Sequence, residues 1–151
     1  MLVCGGCKLG IFEEFARKYY LEACKDLDRA MKAFREGDYP ESVFHSQQCV
    51  EKAVKALIEA KRGYVFNHGV ILSNYFIRVY KDEWIDDFDF IVECIDWFTE
   101  YYTRTRYPFL LRSRVYSPEE FITRDIAEEA LDKARKVLDI VRKVLQRKGL
   151  I

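Results

Sequence analysis

A chain of 151 residues that is 50% apolar and 15% aromatic holds enough material for one continuous core, which excludes a disordered chain and requires no second domain. Its 25 lysines and arginines balance its 25 aspartates and glutamates, so no global charge argues for nucleic acid, a membrane surface or an acidic partner, and any such site must be local. Seven glycines and three prolines leave room for few turns, so a few long elements are expected.

Residues 1–10 read as an N-terminal tail with neither a charged start nor an apolar h-region. The pair Cys4 and Cys7 has a spacing that closes a small disulfide or supplies half a zinc site, but no second such pair exists. With Cys24, Cys49 and Cys94 inside helical patterns, the five cysteines make neither an even disulfide framework nor a four-ligand set, and no metal is expected. No stretch approaches the roughly 20 apolar residues that span a bilayer, so a cytoplasmic chain without membrane attachment is expected.

A single domain is expected over residues 11–147. Phe12, Phe15, Tyr19, Ala23, Leu27, Ala30 and Phe34 recur at three- and four-residue steps, the stripe of a long helix ended by Gly37. Asp38 can cap a second helix, with Pro40 in its first turn and an apolar stripe of Val43, Val50, Val54, Leu57 and Ile58 running to Gly63. The short connection makes the two antiparallel neighbours. From His68 to Tyr80 the apolar positions are dense, and a short helix is favoured over a lone strand that would have no partner.

A fourth helix follows Asp82, with Phe88, Ile91, Ile95, Phe98 and Tyr102 in register, and is expected to run to Pro108. Ser117-Pro118-Glu119-Glu120 reads as a capping box that opens a final helix of about 28 residues. Residues 148–151 are expected to form a frayed tail. The fold class is therefore all-α, an up-and-down antiparallel bundle of four long helices plus one short helix.

Chemistry-bearing residues concentrate in two places. Gln48, Glu51, Lys52 and Lys55 share one face of the second helix, where Glu51 and Lys55 form an i,i+4 acid-before-base pair. That face reads first as a solvated one; the alternative places Gln48 and Glu51 in an interhelical groove, bonding the arginines or a ligand. Arg104, Arg106, Arg112 and Arg114, with Tyr107 and Tyr116, form a local positive cluster around Pro108, suited to phosphate recognition and base stacking. The competing reading pairs these arginines with acids such as Glu100 and Glu119. His68 follows Asn67 at a turn, and His45 reads as a surface or boundary residue. Phe109, Leu110 and Leu111 look like three apolar residues in a loop, which motivates a homodimer. There is no Walker loop, GxGxxG or nucleophile elbow.

The segment from Ser42 to Leu57, with Gln47-Gln48 and Glu51-Lys52 on it, followed by Gly63, His68 and Tyr102-Thr103-Arg104-Thr105-Arg106-Tyr107-Pro108, resembles the HEPN domain, the "higher eukaryotes and prokaryotes nucleotide-binding" family. The resemblance covers about Tyr19 to Val144. It implies a small all-α bundle, commonly dimeric, found alone or beside a minimal nucleotidyltransferase, with many members acting as metal-independent ribonucleases through an Arg-x4-6-His motif. This sequence departs from that motif, because its two histidines, His45 and His68, both precede the arginine cluster.

The first expectation is thus a nucleotide- or RNA-phosphate-binding module acting with a nucleotidyltransferase partner. ATP or another nucleotide is the candidate ligand, and no cofactor is required. The candidate ligand-binding residues are Arg104, Arg106, Tyr107, His68, Gln48, Glu51 and Lys55. The alternatives are an endoribonuclease of a toxin–antitoxin pair and a non-catalytic interaction protein.

Overall fold

A computed structural model describes residues 10–61 and 69–151, so the expectations placed on Cys4, Cys7, Gly63, Asn67 and His68 lie outside the described residues. The fold is an all-α bundle of α1 (Ile11–Arg35), α2 (Tyr39–Ala60), α3 (Gly69–Tyr80), α4 (Asp87–Thr99), α5 (Pro118–Phe121) and α6 (Arg124–Arg147), with a small antiparallel hairpin of β1 (Phe109–Leu111) and β2 (Arg114–Tyr116).

The turn between α1 and α2 follows the expected chemistry. Gly37 takes φ 78°, a left-handed conformation that glycine adopts without steric cost, and the Asp38 carboxylate accepts from Glu41 N at 3.3 Å. Ala16, Ala23, Ala30 and Ala33 are the buried apolar residues of α1, small enough to let α2 approach closely. Across that contact Ser42 Oγ donates to Ala30 O at 2.9 Å.

Helix α2 is central. It packs against α1, α3, α4 and α6, and its buried residues run around most of its circumference, from Val43 and Val50 to Gln47, Glu51, Lys55 and Glu59. A helix enclosed on several sides has no wet face of the usual kind. Phe76, Tyr80, Trp84 and Phe88 make a cluster of edge and tilted ring contacts where α3 meets α4, and Tyr80 Oη donates to Leu57 O at 2.5 Å to anchor that cluster on α2.

Three boundaries differ from expectation. Helix α4 stops at Thr99, well before Pro108; Thr99 Oγ1 bonds Ile95 O at 2.9 Å, and three threonines at 99, 103 and 105 weaken the helix beyond it. Residues 109–111 are not a loop but a strand, joined to β2 by a two-residue turn in which Arg112 and Ser113 take φ 49° and 63°. Ser117 caps only the four-residue α5, accepting from Glu120 N at 3.3 Å, and the long helix starts afresh where Thr123 accepts from Ile126 N at 3.4 Å.

The C-terminal end is anchored rather than frayed: Leu150 belongs to the core and donates its N–H to Leu145 O, while Lys148 pairs with Glu83 at 3.2 Å. Cys49 and Cys94 are buried and Cys24 half-buried, as small core or boundary residues. Burial raises both buried thiols, Cys94 to about 12, which leaves them un-ionised and inert.

Candidate phosphate-binding site

The polar groups of α2 divide into two sets on different sides of the helix. On one side, Glu51 Oε2 accepts from Gln47 Nε2 at 2.9 Å and Glu51 Oε1 accepts from Lys55 Nζ at 2.8 Å, with Gln48 Nε2 donating in turn to Gln47 Oε1 at 2.9 Å. Glu51 and Lys55 are buried, so the solvated-face reading of this pair is corrected: α2 is enclosed, and the pair survives burial by bonding to each other and to Gln47. The groove alternative agrees with the placing of Glu51 in the wall of a cleft, where Gln47 and Lys55 are among its partners.

Gln47 and Glu51 also lie on the wall of a cleft of about 380 Å³ whose other lining includes Val50, Leu72, Ile95 and Phe98. Among the described residues that line it, the cleft is mainly apolar and its ionic group is the Glu51 carboxylate. It does not suit a phosphate.

On the other side, Asp26 reaches across from α1 with its side chain only 2% exposed. Its Oδ1 accepts from Arg29 Nη1 at 3.1 Å and lies 3.0 Å from His45 Nδ1, and its Oδ2 accepts from Lys52 Nζ at 2.5 Å. Burial alone would push the Asp26 carboxyl up, but the hydrogen bonds from Lys52, His45 and Arg29 outweigh it and hold the group below its ordinary range. The other ring nitrogen, His45 Nε2, lies 3.2 Å from Glu41 Oε1.

Arg106 completes this second set. Its guanidinium sits 3.4 Å from the centroid of the Phe44 ring and donates to Glu41, at 3.1 Å to Oε2 and 3.4 Å to Oε1. One carboxylate, Glu41, thus joins an arginine from the segment after α4 to a histidine on α2. Three fixed cations, Arg29, Lys52 and Arg106, face two carboxylates, so the cluster is locally positive in a neutral protein.

Arg104 goes elsewhere. It pairs with Glu100 at 3.2 Å, the acid anticipated for it, and lies 5.1 Å from the centroids of both Phe109 and Phe121, where it ties the hairpin to α5. Arg114 pairs with Glu120 at 3.6 Å and covers Tyr116. Tyr107 is exposed beside Arg106. Of the candidate ligand-binding residues, then, Gln48, Glu51 and Lys55 form the buried network, Arg106 joins a different cluster, and Arg104 supports the hairpin.

Sequence reasoning missed Asp26, Glu41, His45 and Lys52 as a unit. One signal was present: Ala23, Asp26, Ala30 and Ala33 are spaced by three and four, so Asp26 is an acid in the register of buried alanines.

The HEPN domain profile matches residues 16–144, most of the chain. The chain belongs to the HEPN family. A relative from Methanocaldococcus jannaschii named "Putative toxin MJ1304" is 32% identical over 139 residues, covering 89% of this chain and 91% of the relative. Two solved structures share the fold. TT1696 from Thermus thermophilus is 31% identical, with TM-score 0.66 over 85% of this chain and 96% of its own. ST0689, described as an archaeal HEPN homologue, is 27% identical, with TM-score 0.67 over 86% and 97%. Within this HEPN chain, the imidazole that shares a partner with Arg106 comes from α2, upstream of the arginine rather than downstream of it. Among the described residues no group of acids, histidines and cysteines has a metal-holding arrangement, and no helix is long and apolar enough to cross a membrane.

Proposed function

We propose that this HEPN protein binds an RNA or nucleotide phosphate at Arg106, with Tyr107 beside it for stacking, and that it acts in the cytoplasm as a homodimer with a minimal nucleotidyltransferase partner. One observation carries the reading: the Arg106 fork is preorganised on the Phe44 ring, 38% exposed, and engaged by a carboxylate that a phosphate can replace. A dianionic or bridging phosphate matches the same bidentate geometry. For the dimer, Leu110 and Val115 stand directly opposite each other in the hairpin and are 70% and 65% exposed, an apolar pair suited to burial against a second copy.

Titration with ATP, GTP and a short RNA tests the binding. Silence at millimolar ligand, or an affinity unchanged in Arg106→Ala, overturns it. Sedimentation showing a monomer at high micromolar concentration overturns the dimer.

A second reading, an endoribonuclease of a toxin–antitoxin pair, draws support from the toxin name of the M. jannaschii relative and from the placing of His45 against the carboxylate that holds Arg106. RNA left intact by the purified protein would argue against it.

A further inference from the structure

We propose that Glu41 is a built-in competitor for Arg106 and that the proton on His45 decides how firmly it competes, so that the phosphate site tightens as pH falls; this rests on the phosphate binding proposed above. One row of contacts carries the inference. Asp26 Oδ1 lies 3.0 Å from His45 Nδ1, His45 Nε2 lies 3.2 Å from Glu41 Oε1, and Glu41 accepts from Arg106 at 3.1 Å on Oε2 and 3.4 Å on Oε1. The guanidinium is thus engaged by a carboxylate of the chain itself, through the two oxygens that mimic a phosphate.

Both ring nitrogens of His45 face carboxylate oxygens, which only accept. A neutral imidazole has one N–H and satisfies one of them, whereas the doubly protonated ring donates to both. When a proton leaves, Nδ1–H stays with Asp26, because that side chain is 2% exposed while Glu41, at 35%, can turn to water. Nε2 then presents a lone pair 3.2 Å from a carboxylate oxygen, and the contact changes from attractive to repulsive.

The two states release Glu41 from Arg106 at different cost. With His45 neutral, a phosphate that takes the guanidinium removes the cation that Glu41 holds. With His45 charged, Glu41 gives up Arg106 and keeps the imidazolium, and the extra positive charge joins Arg29, Lys52 and Arg106 around the incoming anion. Linkage fixes the sign: a proton on His45 favours phosphate, so bound phosphate favours the proton, and affinity falls as pH rises through the titration of the ring.

Among the described residues, the groups facing the ring come from three elements. Helix α1 supplies Asp26, with Arg29 on it; α2 supplies Glu41, the edge-on Phe44 ring, and Lys52 through Asp26; and the segment after α4 supplies Arg106 through Glu41. The Asp26 carboxyl, held below its ordinary range, stays ionised where an imidazole exchanges its proton and so remains a fixed anchor.

The test is the affinity of the full chain for a 2′-O-methyl RNA oligonucleotide, whose phosphodiesters keep one charge throughout, at constant ionic strength between about pH 5.5 and about pH 8.5. The wild-type dissociation constant should rise about tenfold across that range. Glu41→Gln should bind more tightly than wild type at the alkaline end and show little pH dependence; His45→Gln should be equally flat but weak. Glu41 is part-exposed, so its variant keeps the test open if His45→Gln unfolds. The proton resonances of the His45 ring should titrate at a higher pH once the oligonucleotide is bound. A flat wild-type profile, or a His45 titration unmoved by the oligonucleotide, overturns the competitor and spares the phosphate site. A Glu41→Gln profile as steep as wild type also overturns it, because His45 then acts on the phosphate directly. Absence of binding at every pH overturns the phosphate site and the competitor together.

Discussion

His45 Nδ1 lies 3.0 Å from Asp26 Oδ1 although nineteen residues separate them in the chain. Asp26 stands at a buried position of α1, and Arg29, His45 and Lys52 converge on it, so the acid links the first two helices as well as orienting the imidazole. Removing that charge leaves Lys52 and His45 without their shared partner. Asp26→Ala should cost about 3 kcal/mol, read as a lowered urea midpoint at neutral pH.

The same residue sets an acid limb of stability. Because the Asp26 carboxyl is held below its ordinary value of 3.8, folding favours its ionised form. The contribution is fully present above about pH 5 and is lost as pH falls through the lower folded value. Urea unfolding between about pH 5 and pH 2 should show this loss in the wild type and a shallower pH slope in Asp26→Asn.

Burial of the Glu51–Lys55 pair gives a different expectation from an exposed i,i+4 pair, which is worth about 0.3–0.5 kcal/mol. Lys55→Met should destabilise by about 3 kcal/mol, because the carboxylate loses its 2.8 Å cation inside the bundle. The double variant Glu51→Gln/Lys55→Met should recover much of that loss, and a thermal double-mutant cycle checks it; additive losses would show that the two act independently.

The two central arginines should separate by readout. Arg104→Ala removes a guanidinium lying over Phe109 and Phe121 and should lower the melting temperature while leaving phosphate affinity intact. Arg106→Ala should instead weaken RNA binding and reduce the salt slope of log K by about 0.7, the loss of one phosphate contact on a single strand. Binding isotherms at several salt concentrations and a melt of each variant decide between them.

The hairpin turn carries local strain at Arg112 and Ser113, both at positive φ. Two-residue turns of this kind favour asparagine and glycine, and a non-glycine residue in the left-handed region costs about 1–2 kcal/mol. Ser113→Gly should raise stability by about 0.5–1 kcal/mol, visible as a higher urea midpoint with the slope unchanged.

This turn also explains why the hairpin was not legible. Arg-Ser lacks the turn signal that separates two strands in a sequence, and three-residue strands are too short to show alternation, so Phe109–Leu111 read as a loop. Helix α4 was extended too far because Tyr102 continues its apolar register, while the threonines that end it act through backbone bonding that periodicity does not register. The split between α5 and α6 was hidden in the same way. Ser117 and Thr123 both cap, and nothing local says that the chain uses both.

Helix content, the α1–α2 turn at Gly37 and Asp38, and the apolar stripes were determined by the sequence itself, because capping and periodicity act over neighbouring residues. HEPN membership was likewise legible in the polar residues of α2 and the Arg104–Pro108 segment, and the family match across residues 16–144 agrees. Only the tertiary structure decided which polar residues belong together. Enclosing α2 on several sides turned Glu51 and Lys55 from a solvated pair into a buried one. Packing α1 and the segment after α4 against it brought Asp26, His45, Glu41 and Arg106 into contact. Those partners lie far apart in sequence, and whether a charge pairs, stays buried or meets a ligand depends on the surfaces the fold presses together, not on the spacing along one helix.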